Sequence, residues 1–170
     1  MTHDLDDISV YACWTRLSET PEDIARMSMR FMKEFSTRIK TGPWEPLEGE
    51  WDDTEAGLVE VIKRNPITDD DGEPIPGDGY STTLNNDRGP LNTTFNVSAG
   101  EDQLIERIAS PRFTQDFYRS KHASAGELWD ASVHAAVTAF DPAFAVGQEM
   151  TILMMTRRGE WKIPFGYRVW

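Results

Sequence analysis

The chain has 170 residues, 39 % of them hydrophobic and 11 % aromatic, enough to close one core without need of a second. Its formal net charge of −12 makes nucleic acid and anionic membranes poor partners, and its single cysteine, Cys13, excludes an internal disulfide framework and fits a reducing compartment. No run approaches the roughly 20 apolar residues that cross a bilayer. The start, MTHDLDD, lacks the basic and apolar stretches of a secretion signal, so a cytoplasmic location is expected.

In chain order, Ile8, Val10, Ala12 and Trp14 alternate with Ser9, Tyr11 and Cys13, the period of a first strand. Thr20 followed by Pro21, Glu22 and Asp23 marks a helix start, with a hydroxyl cap, a first-turn proline and carboxylates at the positive dipole end. Ile24, Met27, Phe31, Phe35 and Ile39 then recur at helical spacing, and Gly42-Pro43 stops the run. Gly42 to Asp53 is expected to be irregular. A short helix from about Thr54 to Arg64 turns Leu58, Val59 and Ile62 inward and must end before Pro66. Ile67 to Gly79, with three consecutive Asp and alternating Gly and Pro, reads as an exposed loop.

From Tyr80 the period changes to two. Tyr80, Thr82 and Leu84 form one stripe and Leu91, Thr93, Phe95, Val97 and Ala99 another, joined by turn residues Asn85 to Pro90 into a hairpin. Asn92-Thr93-Thr94 and Asn96-Val97-Ser98 match the glycosylation pattern but read as strand residues. Gln103 to Ala109 suits a strand or a helix. Ser124 to Phe140 is a second long helix, ended by Asp141-Pro142, and Ala143 to Gln148, Thr151 to Thr156 and Trp161 to Val169 read as short strands. The expectation is an α+β fold, an antiparallel sheet packed with two main α-helices, in one domain spanning residues 1–170.

Groups that could do chemistry are sparse. His134 lies mid-helix between Val133 and Ala135, while His3 and His122 sit in no motif. Cys13 lies inside a strand with no basic neighbour to activate it. Counting back from Gly72 puts Ile67 at the first ligand position of an EF-hand, so that motif fails and leaves only a loose cation site around Asp69, Asp71 and Glu73. Phosphate loops, nucleophile elbows and paired Cys or His metal signatures are missing from the sequence. No catalytic set, cofactor or metal centre is expected.

The charge, by contrast, is concentrated. Between Thr41 and Tyr80 there are twelve Asp or Glu and two basic residues, Lys63 and Arg64. Such a block is either solvated surface or a site that steers a basic protein. Trp44 and Trp51 lie within it and could serve as anchors in a partner or as pins that hold a long loop to the body. The candidate partner-binding set is therefore Trp44, Glu45, Glu48, Glu50, Trp51, Asp52, Asp53, Asp69, Asp70, Asp71 and Glu73.

The order of several short segments resembles the immunity protein 52 family of bacterial polymorphic toxin systems, in which type VI secretion delivers effectors. These are Val10-Tyr11-Ala12-Cys13-Trp14-Thr15-Arg16, then Ser18-Glu19-Thr20 into an amphipathic helix, the connection around Trp44, Gly79 to Asn86, Asn96 to Gly100, and Ala139 to Val146. Phe140, and the Leu84-Asn85-Asn86 turn entry, stand where the family pattern has tryptophan. The resemblance implies an α+β cytoplasmic antitoxin that binds a cognate effector, typically a nuclease, and blocks it without chemistry of its own. An acidic surface could enter a nuclease groove lined with Lys and Arg, or dock beside it. Two further readings stand beside this one: an acidic adaptor or anti-defence protein that imitates nucleic acid, and a small metal-dependent hydrolase using Asp69, Asp71, Glu73 and His134. Self-association is a further option, since the terminal aromatic strand ending at Trp170 could pair edge to edge.

Overall fold

The computed structural model describes residues 8–102, 112–120, 123–142, 144–149 and 168–169. Among them the elements run β1 (Ile8–Cys13), α1 (Pro21–Ser36), β2 (Glu45–Pro46), α2 (Glu55–Lys63), β3 (Tyr80–Asn86), β4 (Leu91–Ala99), β5 (Arg112–Ser120), α3 (Ala125–Phe140), β6 (Phe144–Glu149) and β7 (Arg168–Val169). All strand pairs are antiparallel and build one sheet in the order β2-β3-β4-β5-β1-β6-β7. The expected α+β class is the one observed.

Each helix begins where its sequence supplies a cap. At α1 the Thr20 hydroxyl accepts from the Asp23 amide at 3.2 Å and the Asp23 carboxylate accepts from the Thr20 amide at 3.2 Å, a reciprocal box with Pro21 in the first turn. At α3 the same exchange joins Ser124 and Glu127, at 2.8 Å and 3.4 Å. The Thr20 hydroxyl holds the Asp23 carboxyl below its usual value, and the Ser124 backbone N–H does so for Glu127. Asp141, in the left-handed region at φ 46°, ends α3.

The helices cover one face of the sheet. Along β4, Leu91, Thr93, Phe95 and Val97 are buried beneath them, while Asn92, Thr94 and Asn96 face the other way, half-buried. Phe31 of α1 meets Phe95 edge-on at 5.0 Å and Phe140 of α3 at 6.0 Å, and Phe35 meets Phe117 at 6.3 Å. Burying each ring contributes about 1.5–3 kcal/mol, which makes this aromatic seam the main support of the fold.

A second support lies where α1 hands over to the sheet. Asn86 is buried and clasps Gly42 from both sides, accepting from its amide at 3.0 Å and donating to its carbonyl at 2.8 Å. The backbones of Gly42 and Gly89 pass so closely that a Cβ on Gly42 would lie 2.9 Å from the Gly89 Cα. Only glycine fits there.

Three expectations differ from the structure. The segment expected to be irregular contains β2, which pairs Glu45 with Asn85 and Pro46 with Leu84. The strand β5 falls outside every segment read as regular. It turns Gln115 inward, fully buried, where its amide donates to the Thr93 hydroxyl at 3.2 Å, and a bulge at Asn92/Thr93 breaks its register with β4. The connection expected to be a plain loop carries bridges Pro66 to Tyr80 and Thr68 to Pro74. Gln103 to Ala109 and Thr151 to Thr156 lie outside the described residues, as does Trp161 to Val169 except for β7.

The outer edge of β3 is closed by the chain itself. Leu47 donates to the Thr83 carbonyl, Asn65 accepts from the Ser81 amide and Ile67 donates to the Gly79 carbonyl, each at 3.0 Å. Two connections therefore hang from this edge: residues 47–54, leading into α2, and the 66–79 hairpin.

Candidate functional site

Both candidate tryptophans act as pins. Trp44 is 8 % exposed and packs edge-on against Phe95 at 5.1 Å and Phe35 at 6.3 Å, so it belongs to the core beneath the acidic segment. Reaching a partner would require β2 to leave the sheet. Trp51 is half-buried against the core, and its indole N–H donates to the Thr54 carbonyl at 2.7 Å, tying the connection to the start of α2. The residue left outside is Leu47, 64 % exposed between Glu45 and Glu48. Its only sequence signal is an apolar side chain just after Pro46 in a run of glutamates.

The candidate carboxylates divide into two groups. Glu45 pairs with Arg88 at 2.8 Å. Asp52 accepts from the Thr54 hydroxyl at 2.6 Å and amide at 3.1 Å, contacts that hold its carboxyl below the usual value, chiefly through the hydroxyl. Asp69 accepts from the amides of Asp71 at 3.0 Å and Glu73 at 2.9 Å, so its carboxylate folds its own hairpin. In contrast, Glu48, Glu50, Asp53, Asp70, Asp71 and Glu73 are exposed and make no ion pair among the described residues. All six stand on the two connections that hang from the β3 edge.

Two nearby cations, Lys63 and Arg26, are committed elsewhere. Lys63 lies 3.3 Å from both Glu22 and Glu60, and its ammonium is held above its usual value first by the bond to Glu22. Arg26 reaches Asp23 at 2.9 Å and Glu55 at 3.9 Å. These exposed pairs lace α1 to α2 and add little stability singly, but they leave the six carboxylates uncompensated.

The loose cation site drawn from Asp69, Asp71 and Glu73 is not assembled: no group of three or more His, Cys, Asp or Glu able to hold a metal ion occurs among the described residues. His134 is exposed on α3, away from that hairpin in the fold. No described helix is long and apolar enough to cross a membrane.

Several segments quoted for the resemblance meet at one end of the sheet. The Trp14 and Phe140 rings stack at 5.0 Å with 2° between their planes, and the Trp14 indole donates to the buried Glu19 carboxylate at 2.8 Å. Arg16 donates to the Phe140 carbonyl and lies 3.7 Å from Glu19 and 3.8 Å from Asp141. Its charge closes the C-terminal end of α3, whose last turn carries no basic residue of its own. Ser18, in the left-handed region at φ 58°, bonds through its amide to the Glu101 carbonyl at 2.8 Å. These residues hold β1 to α3 and need no chemical role. No protein-family model and no curated protein matches the chain.

Proposed function

We propose that this chain is an immunity protein: a cytoplasmic antitoxin that binds a cognate effector of bacterial competition, a basic nuclease, and neutralises it by occluding its active site. One observation carries the reading. Six exposed carboxylates, Glu48, Glu50, Asp53, Asp70, Asp71 and Glu73, stand without ion-pair partners among the described residues on two connections that share one sheet edge. A surface of one sign attracts a cationic groove over distances set by salt, and carboxylates pair with the Arg and Lys that such a groove uses to hold phosphates. The resemblance of the Trp14 to Thr20 and Ala139 to Val146 segments to immunity protein 52 supports the same reading.

The test is a calorimetric titration with the product of the adjacent open reading frame, inactivated in its catalytic residue, at about 50 and about 300 mM salt. Tight binding that weakens ~10-fold or more over that range is the expected outcome. Absence of heat at every ratio sinks the reading.

A further inference from the structure

The two sides of the β3–β4 turn meet opposite charges. On one side Arg88 pairs with Glu45 of β2 at 2.8 Å, and from there the chain runs through the exposed Leu47 to Glu48 and Glu50. On the other side Pro90 and Leu91 line a notch of about 90 Å³ together with Arg38, Ile39 and Lys40, which follow the end of α1, and with Glu127. Pro90 is two residues after Arg88, so the acidic and the basic patch begin within about 7 Å of each other.

Ile39 and Leu91 are buried and give the notch an apolar base, whereas Arg38 and Lys40 are exposed. Neither cation makes an ion pair among the described residues. The Glu127 carboxylate is already engaged by the Ser124 amide at 2.8 Å and hydroxyl at 2.7 Å in the α3 cap. The volume is several times the ~10–15 Å³ that one water needs, so the end of a side chain can enter. Across the turn, Leu47 is 64 % exposed, and Glu48 and Glu50 are exposed without ion pairs. Each patch thus sets an apolar group beside two uncompensated charges, and the signs are opposite.

We propose that this surface is an interface between two copies of the chain, in which Leu47 of one protomer seats in the notch of its partner while Glu48 and Glu50 pair with the partner's Arg38 and Lys40. Because the patches adjoin, a two-fold axis between them brings each onto its opposite in the other copy, so the contact forms twice and closes as a dimer. The occupant is the chain itself because the charge that complements the notch is the one carried on the far side of the same turn. A net charge of −12 opposes the approach of two copies at long range, so the interface needs salt at about 150 mM, which confines that repulsion to about 8 Å. The dimer stands apart from the immunity reading; where that reading holds, a second copy and the effector compete for Glu48 and Glu50.

The test is sedimentation equilibrium at about 150 mM salt over about 10 μM to about 1 mM chain, a range that spans the affinities of weak dimers. Two charge-reversed chains are compared with wild type: Arg38→Glu with Lys40→Glu, and Glu48→Lys with Glu50→Lys. All four positions are exposed, and thermal midpoints establish that both chains are folded. The expected result is a wild-type dimer, association at least ~10-fold weaker for each reversed chain alone, and recovery to within ~3-fold of wild type when the two are mixed in equal amounts. Mixing makes both junctions complementary again, which a chain damaged in its own fold could not do. A wild-type chain that stays a monomer, reversed chains that associate as tightly as wild type, a mixture that fails to recover, or growth beyond two chains each overturns the proposal.

Discussion

On one side of the sheet Phe95 and Phe117 meet Phe31 and Phe35 of α1, all four fully buried; on the other, the same two strands present Asn96 and Thr114, half-buried among hydroxyls and amides. Adjacent residues of one strand thus live under opposite constraints. The helix-covered face is fixed by shape, because an interior at crystal-like density tolerates no missing ring. On the opposite face the Asn96 amide bonds to the hydroxyls of Ser81 and Thr83, contacts between small side chains that a substitution can replace. Stability should therefore be sensitive to odd-numbered positions of β4 and nearly indifferent to its even-numbered neighbours.

The largest expected effect is at Phe95. Phe95→Ala removes a ring that touches both Phe31 and Trp44 and should cost about 3–5 kcal/mol in chemical denaturation; a loss below about 1 kcal/mol breaks the comparison. Trp44→Ala should cost about 3 kcal/mol, at the low end for a buried tryptophan because one edge stays slightly exposed. A near-neutral result there would mean that the ring belongs to the surface after all.

Ser124→Ala should cost about 1 kcal/mol by removing half of the α3 capping box. The boxes also set an acid limit. Asp23 and Glu127 bind protons less readily when folded, so their contribution is complete above the ordinary carboxyl range, from about pH 5 upward, and is lost as pH falls through their lowered values. Denaturation midpoints should decline over that window, and less steeply in Ser124→Ala. Smallest of all, Thr114→Ala should stay within about 0.5 kcal/mol of wild type, which sharpens the comparison if Phe95→Ala is severe.

Elements specified locally were legible before the fold was. The cap at Thr20 and the helix starts placed near Thr54 and Ser124 match the observed helices, although α1 ends at Ser36, before Ile39 and the breaker Gly42-Pro43, and the alternation around Asn85 to Pro90 marks the β3–β4 hairpin. β5 was hidden because its inward stripe includes Gln115, which is polar and fully buried and whose amide N–H donates to Thr93 across the sheet. A single-strand pattern cannot announce a partner 22 residues away. The candidate site was legible as charge, since Asp and Glu are mostly exposed wherever they occur, but not as geometry. Trp44 sits in the core although it lies in an acidic stretch of the chain, and the part played by Asp69 depends on amides that its own loop must first bring round.

That arrangement at Asp69 separates two jobs that an acidic loop commonly mixes. One carboxylate shapes the 66–79 hairpin, while Asp70, Asp71 and Glu73 offer their side chains to no part of it. Codons at those three positions can drift, even to the opposite sign, with the turn unchanged. The charge that the hairpin presents is thereby separable from the scaffold that carries it.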